Sequence, residues 1–62
     1  MKFKVRFKIG NRLGRWSIYT QKEICVSLVD RYSLTEPELC VIFTLRVGET
    51  FENEDLQVKR IG

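Results

Sequence analysis

Residues 2–9, "KFKVRFKI", alternate strictly between cations and apolar side chains. A side-chain period of two is typical of a β-strand with one buried and one solvent-facing side. We therefore predict a strand whose apolar side faces the core. Gly10, Asn11 and Gly14 follow and accept turn conformations, so "GNRLG" at 10–14 predicts a five-residue loop leading into a second strand at 15–20, "RWSIYT".

The register of this hairpin decides which side chains accompany the cations. We place Trp16 and Ile18 in the core with Val5 and Phe7. Alternation then assigns Arg15, Ser17 and Tyr19 to the outer side.

The middle of the chain supports two interpretations. "TQKE" at 20–23 has the form of a capping box, and Ile24, Leu28 and Tyr32 would share one stripe of a helix over 21–33. Residues 23–30 are also rich in β-branched side chains and alternate as a strand would. We favour the helix and keep the strand as the alternative.

Residues 33–47 pose the same choice. Thr35, Pro37 and Glu38 resemble a helix start, whereas apolar side chains alternate from Leu39 to Val47. We choose a strand over 38–47, then a polar turn at 48–55 and a final short strand at 56–61. The predicted architecture is α+β: one domain, residues 1–62, with a β-β-α-β-β antiparallel sheet and one helix on a face. A five-stranded small β-barrel is the alternative if residues 23–30 are extended.

Length and composition limit the classes of protein to which this chain can belong. A domain of 62 residues, 44% hydrophobic and 31% charged, is typical of a small globular module, and self-association into a homodimer is one way to add stability. The longest apolar run, residues 39–43, is far shorter than the roughly 20 residues of a membrane span. No hydrophobic signal region follows Met1, so we expect a cytoplasmic protein without membrane contact.

The two cysteines and the absence of histidine limit the chemistry. Cys25 and Cys40 have apolar neighbours, which predicts buried reduced thiols; a disulfide between them is the alternative. Neither paired C-x-x-C spacing nor a histidine ligand is present, and the commonest general base is missing. We therefore expect no metal, no cofactor and no enzymatic activity.

Charge is distributed very unevenly. Residues 1–22 carry seven cations and no acid, whereas residues 23–62 carry four cations and eight acids, a net charge of −4. Four of those acids crowd into residues 49–55, and this turn could fold against the basic strand and neutralise it. Alternating cations also protect edge strands against aggregation, so the strand at 2–9 could be such an edge.

The basic hairpin is the feature that indicates a function. Cations on alternate strand positions stand about 6.6 Å apart and can meet phosphates, while an aromatic ring can stack on a base. We predict a nucleic-acid-binding module, for RNA or DNA with low sequence specificity. The alternative is a protein-interaction module, an adaptor or inhibitor that docks on an acidic partner through a sheet edge. The predicted nucleic-acid site comprises Lys2, Lys4, Arg6, Lys8, Arg12, Arg15 and Tyr19.

Overall fold

The computed structural model describes residues 1–32 and 34–62, which form an antiparallel sheet with helices against one face. The α+β class is confirmed. The strands are β1 (Lys2–Ile9), β2 (Arg12–Leu13), β3 (Ser17–Thr20), β4 (Thr50–Glu52) and β5 (Leu56–Arg60). The helical segments are α1 (Gln21–Glu23), a π-helical segment (Ile24–Leu28), α2 (Val29–Tyr32) and α3 (Glu36–Phe43).

Strand β1 lies inside the sheet. It pairs with β2 and β3 along one side and with β5 along the other, and β5 pairs with β4. The hypothesis that its cations protect a sheet edge is therefore wrong, because both sides of β1 are already hydrogen-bonded. The sheet is curled like half a barrel, but residues 23–30, which the barrel alternative requires as a strand, are helical.

The hairpin between β1 and β3 contains a β-bulge. Gly10, with a positive φ of 61°, and Asn11 make a two-residue turn that pairs β1 with β2. Lys8 lies opposite Leu13, and Val5 lies opposite Ser17. The three residues 14–16 therefore face only two residues of β1, residues 6 and 7. One extra residue reverses the side to which every later side chain points.

Residues 21–32 form the main helix predicted from the capping box. The Thr20 hydroxyl accepts the Glu23 N–H, and the Glu23 carboxylate accepts the Thr20 N–H. Ile24 and Leu28 are buried and Tyr32 is half-buried, which confirms the predicted apolar stripe. Residue 33, the predicted last residue of this helix, lies outside the described residues.

The predicted strand at 38–47 is wrong, because residues 36–43 form the helix α3. A second capping box starts it: the Thr35 hydroxyl accepts the Glu38 N–H at 3.4 Å, and the Glu38 carboxylate accepts the Thr35 N–H at 3.1 Å. Ile42 is buried while its neighbour Val41 is 48% exposed, so the helix start outweighed the alternation. The strand β4 lies instead within the predicted turn, and β5 confirms the final strand as far as Arg60.

The core lies between the sheet and the helices. Each fully buried aliphatic or aromatic side chain contributes about 1.5–3 kcal/mol. Phe7 and Tyr32 stack at the margin with ring centroids 4.7 Å apart. The buried cluster comprises Phe3, Val5, Ile24, Leu28, Leu34, Ile42, Leu56 and Val58.

The two cysteines lie outside this core. Cys25 and Cys40 are both exposed and free, so the prediction of buried thiols is wrong and the alternative disulfide is not formed. Both lie on helices, on sides turned away from the buried residues Ile24 and Ile42. Their apolar neighbours in the sequence are neighbours along a helix, where successive residues face different directions.

Candidate nucleic-acid interface

The face of the sheet opposite the core, here called the outer face, gathers the cations of β1. Alternation along β1 turns Phe3 and Val5 inward and its four cations outward. The registers with β2, β3, β4 and β5 then place the neighbouring side chains. The outer face comprises Lys2, Lys4, Arg6, Lys8, Leu13, Ile18, Thr20, Thr50, Glu52, Gln57 and Lys59.

Trp16 lies against this face, although the sequence analysis placed it in the core. The Lys4 ammonium lies 4.7 Å from the centroid of the Trp16 ring, and the Arg6 guanidinium lies 4.4 Å from it. These are cation–π distances, which fix the ring beside β1. The predicted core position of Ile18 is also wrong, because Ile18 lies opposite Lys4 and is 68% exposed.

Tyr19 lies on the other side of the sheet. It is directly opposite Phe3, is half-buried, and packs against the core cluster. The prediction that Tyr19 shares the outer face with the cations is therefore wrong. The bulge at residues 14–16 is the physical reason, because it exchanges the two sides of β3 and brings Trp16 to the cations instead.

Lys59 is a member of the outer face that the sequence analysis missed. It lies opposite Lys4 on β5 and is half-buried. The alternation of residues 56–59 could have indicated this position, because inward side chains at Leu56 and Val58 imply that Gln57 and Lys59 point outward. What the sequence could not supply was the pairing of β5 with β1 rather than with a neighbour in the chain.

Two polar contacts order the far end of the outer face. Arg6 donates from Nε to the Gln57 Oε1 at 2.5 Å, and Lys8 Nζ lies 2.6 Å from the Glu52 carboxylate. The hydrogen bond from Lys8, then that from Gln57, and the positive charge of Lys8 lower the pKa of Glu52. Glu52 therefore stays ionised and neutralises Lys8.

Glu49, another acid of this turn, has a different partner. Glu49 accepts the backbone N–H of Arg46. The expected neutralisation of the basic strand is therefore limited to one ion pair in residues 1–32 and 34–62, that of Lys8 with Glu52. Within those residues, four outer-face cations have no carboxylate partner: Lys2, Lys4, Arg6 and Lys59.

Glu38 belongs to a separate acidic depression of about 400 Å³, which is also lined by Tyr32, Asn53, Glu54 and Asp55. Asn53 donates to the Glu38 carboxylate at 2.9 Å. This bond, followed by those from Thr35, lowers the pKa of Glu38. In the part of the chain that the structure describes, no three carboxylate or cysteine side chains lie close enough together to hold a metal ion.

The two loop cations predicted for the site lie at its margin. Arg12 is exposed and lines a shallow depression of about 250 Å³ that also includes Lys8, Gly10 and Glu52. Arg15 is exposed within the bulge, next to Trp16. Arg12 belongs to β2 and lies opposite Ile9, not opposite a cation of β1, whereas Arg15 is outside the strands.

None of the described helices is long and apolar enough to cross a membrane. No protein-family model, curated protein or solved structure matches this chain.

Proposed function

We propose that this protein is a small non-enzymatic module that binds RNA or DNA through the outer face of its sheet, in the cytoplasm and with low sequence specificity. One observation carries the proposal. The Trp16 ring lies within cation–π distance of both Lys4 and Arg6, on a sheet face whose central strand carries a cation at every second position.

The charges of this face suit a polyanion. Lys4 and Lys59 lie side by side on paired strands, so their repulsion is relieved when an anion lies between or over them. A nucleic-acid backbone supplies such anions at regular intervals, and binding releases the counterions condensed on it. Lysine and arginine contacts of this kind recognise phosphate and not base identity, which is why specificity is expected to be low.

The proposed roles follow from placement. Phosphate contacts come first from the four outer-face cations that have no carboxylate partner among the described residues: Lys2, Lys4, Arg6 and Lys59. Lys8 would contact phosphate only by giving up its ion pair with Glu52. Arg12 and Arg15 extend the contact beyond the sheet. Trp16 takes the stacking role that the sequence analysis gave to Tyr19, because the Tyr19 ring packs on the core.

A salt titration tests the proposal. Binding of labelled oligonucleotides is measured at about 50 and 200 mM salt for the wild type and for a Lys4→Gln/Lys59→Gln variant. Each lost phosphate contact should reduce the slope of log K against log salt by about 0.7–0.9. The variant is therefore expected to bind more weakly and with a slope lower by about 1.4–1.8.

The matched control removes the same charge from the helices. Lys22 and Arg31 are exposed on the main helix, so Lys22→Gln/Arg31→Gln changes net charge equally without touching the outer face. Equal losses in both variants would show that net charge, and not this face, governs binding. Absence of binding by the wild type at low salt would refute the proposal outright.

One observation favours the second candidate, a protein-interaction module. β3 pairs with β1 alone among the described strands, so its other edge is unpaired, and the exposed Ile18 lies on it. An extended segment of an acidic partner protein or a second copy could add a strand there. Replacing Ile18 by Pro would weaken such pairing while leaving the outer-face cations in place, because the register turns the N–H groups of Ser17 and Tyr19 toward β1 and that of Ile18 toward the unpaired edge.

A further inference from the structure

We infer that the nucleic acid taken by the outer face is single-stranded, with one unstacked base lying against Trp16. The inference rests on the proposed function and narrows its ligand. It depends on three features of the described residues: the width of the sheet around β1, the position of the only tryptophan, and the arrangement of unpaired cations next to it.

The sheet is too wide to enter a duplex groove. Four strands lie side by side in the order β3, β1, β5, β4, so with neighbours about 4.8 Å apart the outer face is about 14 Å across before side chains are added. The major groove of B-DNA is about 12 Å wide and admits a helix or a two-stranded ribbon. Because β1 is flanked on both sides, its cations could reach only the outermost phosphates of a duplex.

Trp16 gives the face a group that a duplex cannot use. Its side chain is 36% exposed, and it lies beside the central strand among cations. A base can stack on an indole only when it has left its own stack and pair. In a single strand the bases are free to do so, and each base–aromatic stack strengthens binding by about 1–3 kcal/mol.

The cations nearest the ring are placed to hold the backbone of the stacked nucleotide. Lys4 and Arg6 contact the ring itself, and Lys59 lies opposite Lys4. None of the three has a carboxylate partner in residues 1–32 and 34–62. A nucleotide stacked on Trp16 would therefore lie next to phosphate-binding groups on both β1 and β5.

The row of cations sets the length of the site. Lys2 and Lys8 are six residues apart on β1, which corresponds to about 20 Å. A contact of that length fits a strand of a few nucleotides, near the lower end of the roughly 4–16 nucleotides that single-strand-binding domains cover. The face therefore suits a short single-stranded segment, such as a loop or an end. Its contacts do not select particular bases.

Trp16 is the only tryptophan of the chain, so the intrinsic fluorescence of the protein reports directly on this position. The experiment titrates the full chain with oligothymidine of about 10 nucleotides and with a duplex of the same length. Trp16 emission and the anisotropy of the labelled oligonucleotide are both recorded. We expect quenching with the single strand and an affinity at least about fivefold higher than for the duplex, because stacking is available only to the former.

The outcomes distinguish a failure of the single-strand inference from a failure of the proposed function. Duplex binding as tight as single-strand binding, with unchanged Trp16 emission, would overturn this inference and leave the proposed function standing. Absence of binding to both ligands would overturn both. Quenching with tighter single-strand binding supports both.

Two variants of the outer face sharpen the test. Trp16→Ala should weaken single-strand binding by roughly 5- to 150-fold, the equivalent of one lost stack, and change duplex binding by less than about twofold. Ile18→Ala is the matched control, because Ile18 lies on the same face without an aromatic ring and should have a much smaller effect. Circular dichroism confirms that both variants are folded; equal losses for the two ligands in Trp16→Ala would contradict stacking.

Discussion

The backbone N–H of Gly14 donates a hydrogen bond to the carbonyl oxygen of Phe7 at 2.8 Å. This bond lies in the bulge where three residues of the hairpin face two residues of β1. The bulge turns Trp16 and Ile18 to the outer face and Tyr19 to the core. The proposed binding face therefore depends on one extra residue in the hairpin.

Gly14→Ala should destabilise the protein. A Cβ at position 14 would lie 3.2 Å from the Phe7 carbonyl oxygen, a backbone atom held by the pairing of β1. We expect a loss of about 1 kcal/mol in the free energy of unfolding, measured by urea denaturation. Gly62→Ala is the control, since its Cβ would meet only the Lys2 Cβ at an ordinary 3.6 Å. A stability loss no larger than that of the control would show that the bulge tolerates a side chain.

Two adjacent residues of α3 should differ sharply in their contribution to stability. Ile42 is fully buried, so Ile42→Ala should cost about 2–5 kcal/mol. Val41 is half exposed, and Val41→Ala should change stability by less than about 0.5 kcal/mol. Denaturant unfolding of both variants tests the helix, because the alternating strand predicted from the sequence would give the reverse order of effects.

The ion pair of Lys8 and Glu52 should make stability depend on pH in the acidic range. The pKa of Glu52 is below its ordinary value of 4.5 in the folded protein, chiefly because Lys8 donates a hydrogen bond to it. The stabilisation is therefore present above pH 4.5 and is lost as the pH falls through the lowered pKa. We expect the melting temperatures of the wild type and Glu52→Gln to differ near neutral pH and to converge below pH 4.5.

Glu54→Gln is the control for this pH experiment. The Glu54 side chain makes no hydrogen bond or ion pair within the described part of the chain, so its replacement should leave the melting temperature close to that of the wild type at each pH. If Glu54→Gln and Glu52→Gln behaved alike, the contact with Lys8 would not be the source of the pH dependence.

Both cysteines should react in the native protein. Cys25 and Cys40 are free and exposed, so a thiol reagent such as dithionitrobenzoate should modify two thiols per chain without denaturant. The total released after unfolding in denaturant calibrates the native count. If no thiol reacted in the native protein and two reacted after unfolding, the cysteines would be buried, as the sequence analysis predicted.

The local elements that the sequence predicted correctly are those whose signal is confined to a few neighbouring residues. Strict alternation specified β1, and the pairing of Thr20 with Glu23 specified the start of the main helix. Where two local signals competed, at residues 36–43, the capping residues Thr35 and Glu38 outweighed alternation, because the apolar pattern fits a helix that buries Ile42 equally well.

The outer face depends partly on the sequence alone and partly on the tertiary structure. The sequence by itself determined that four cations of β1 share one side of a strand, because successive side chains of a strand point in opposite directions. Only the tertiary structure decided what stands beside them. The bulge brought Trp16, and the pairing of β5 with β1 brought Lys59, because both depend on register and on contacts between distant parts of the chain.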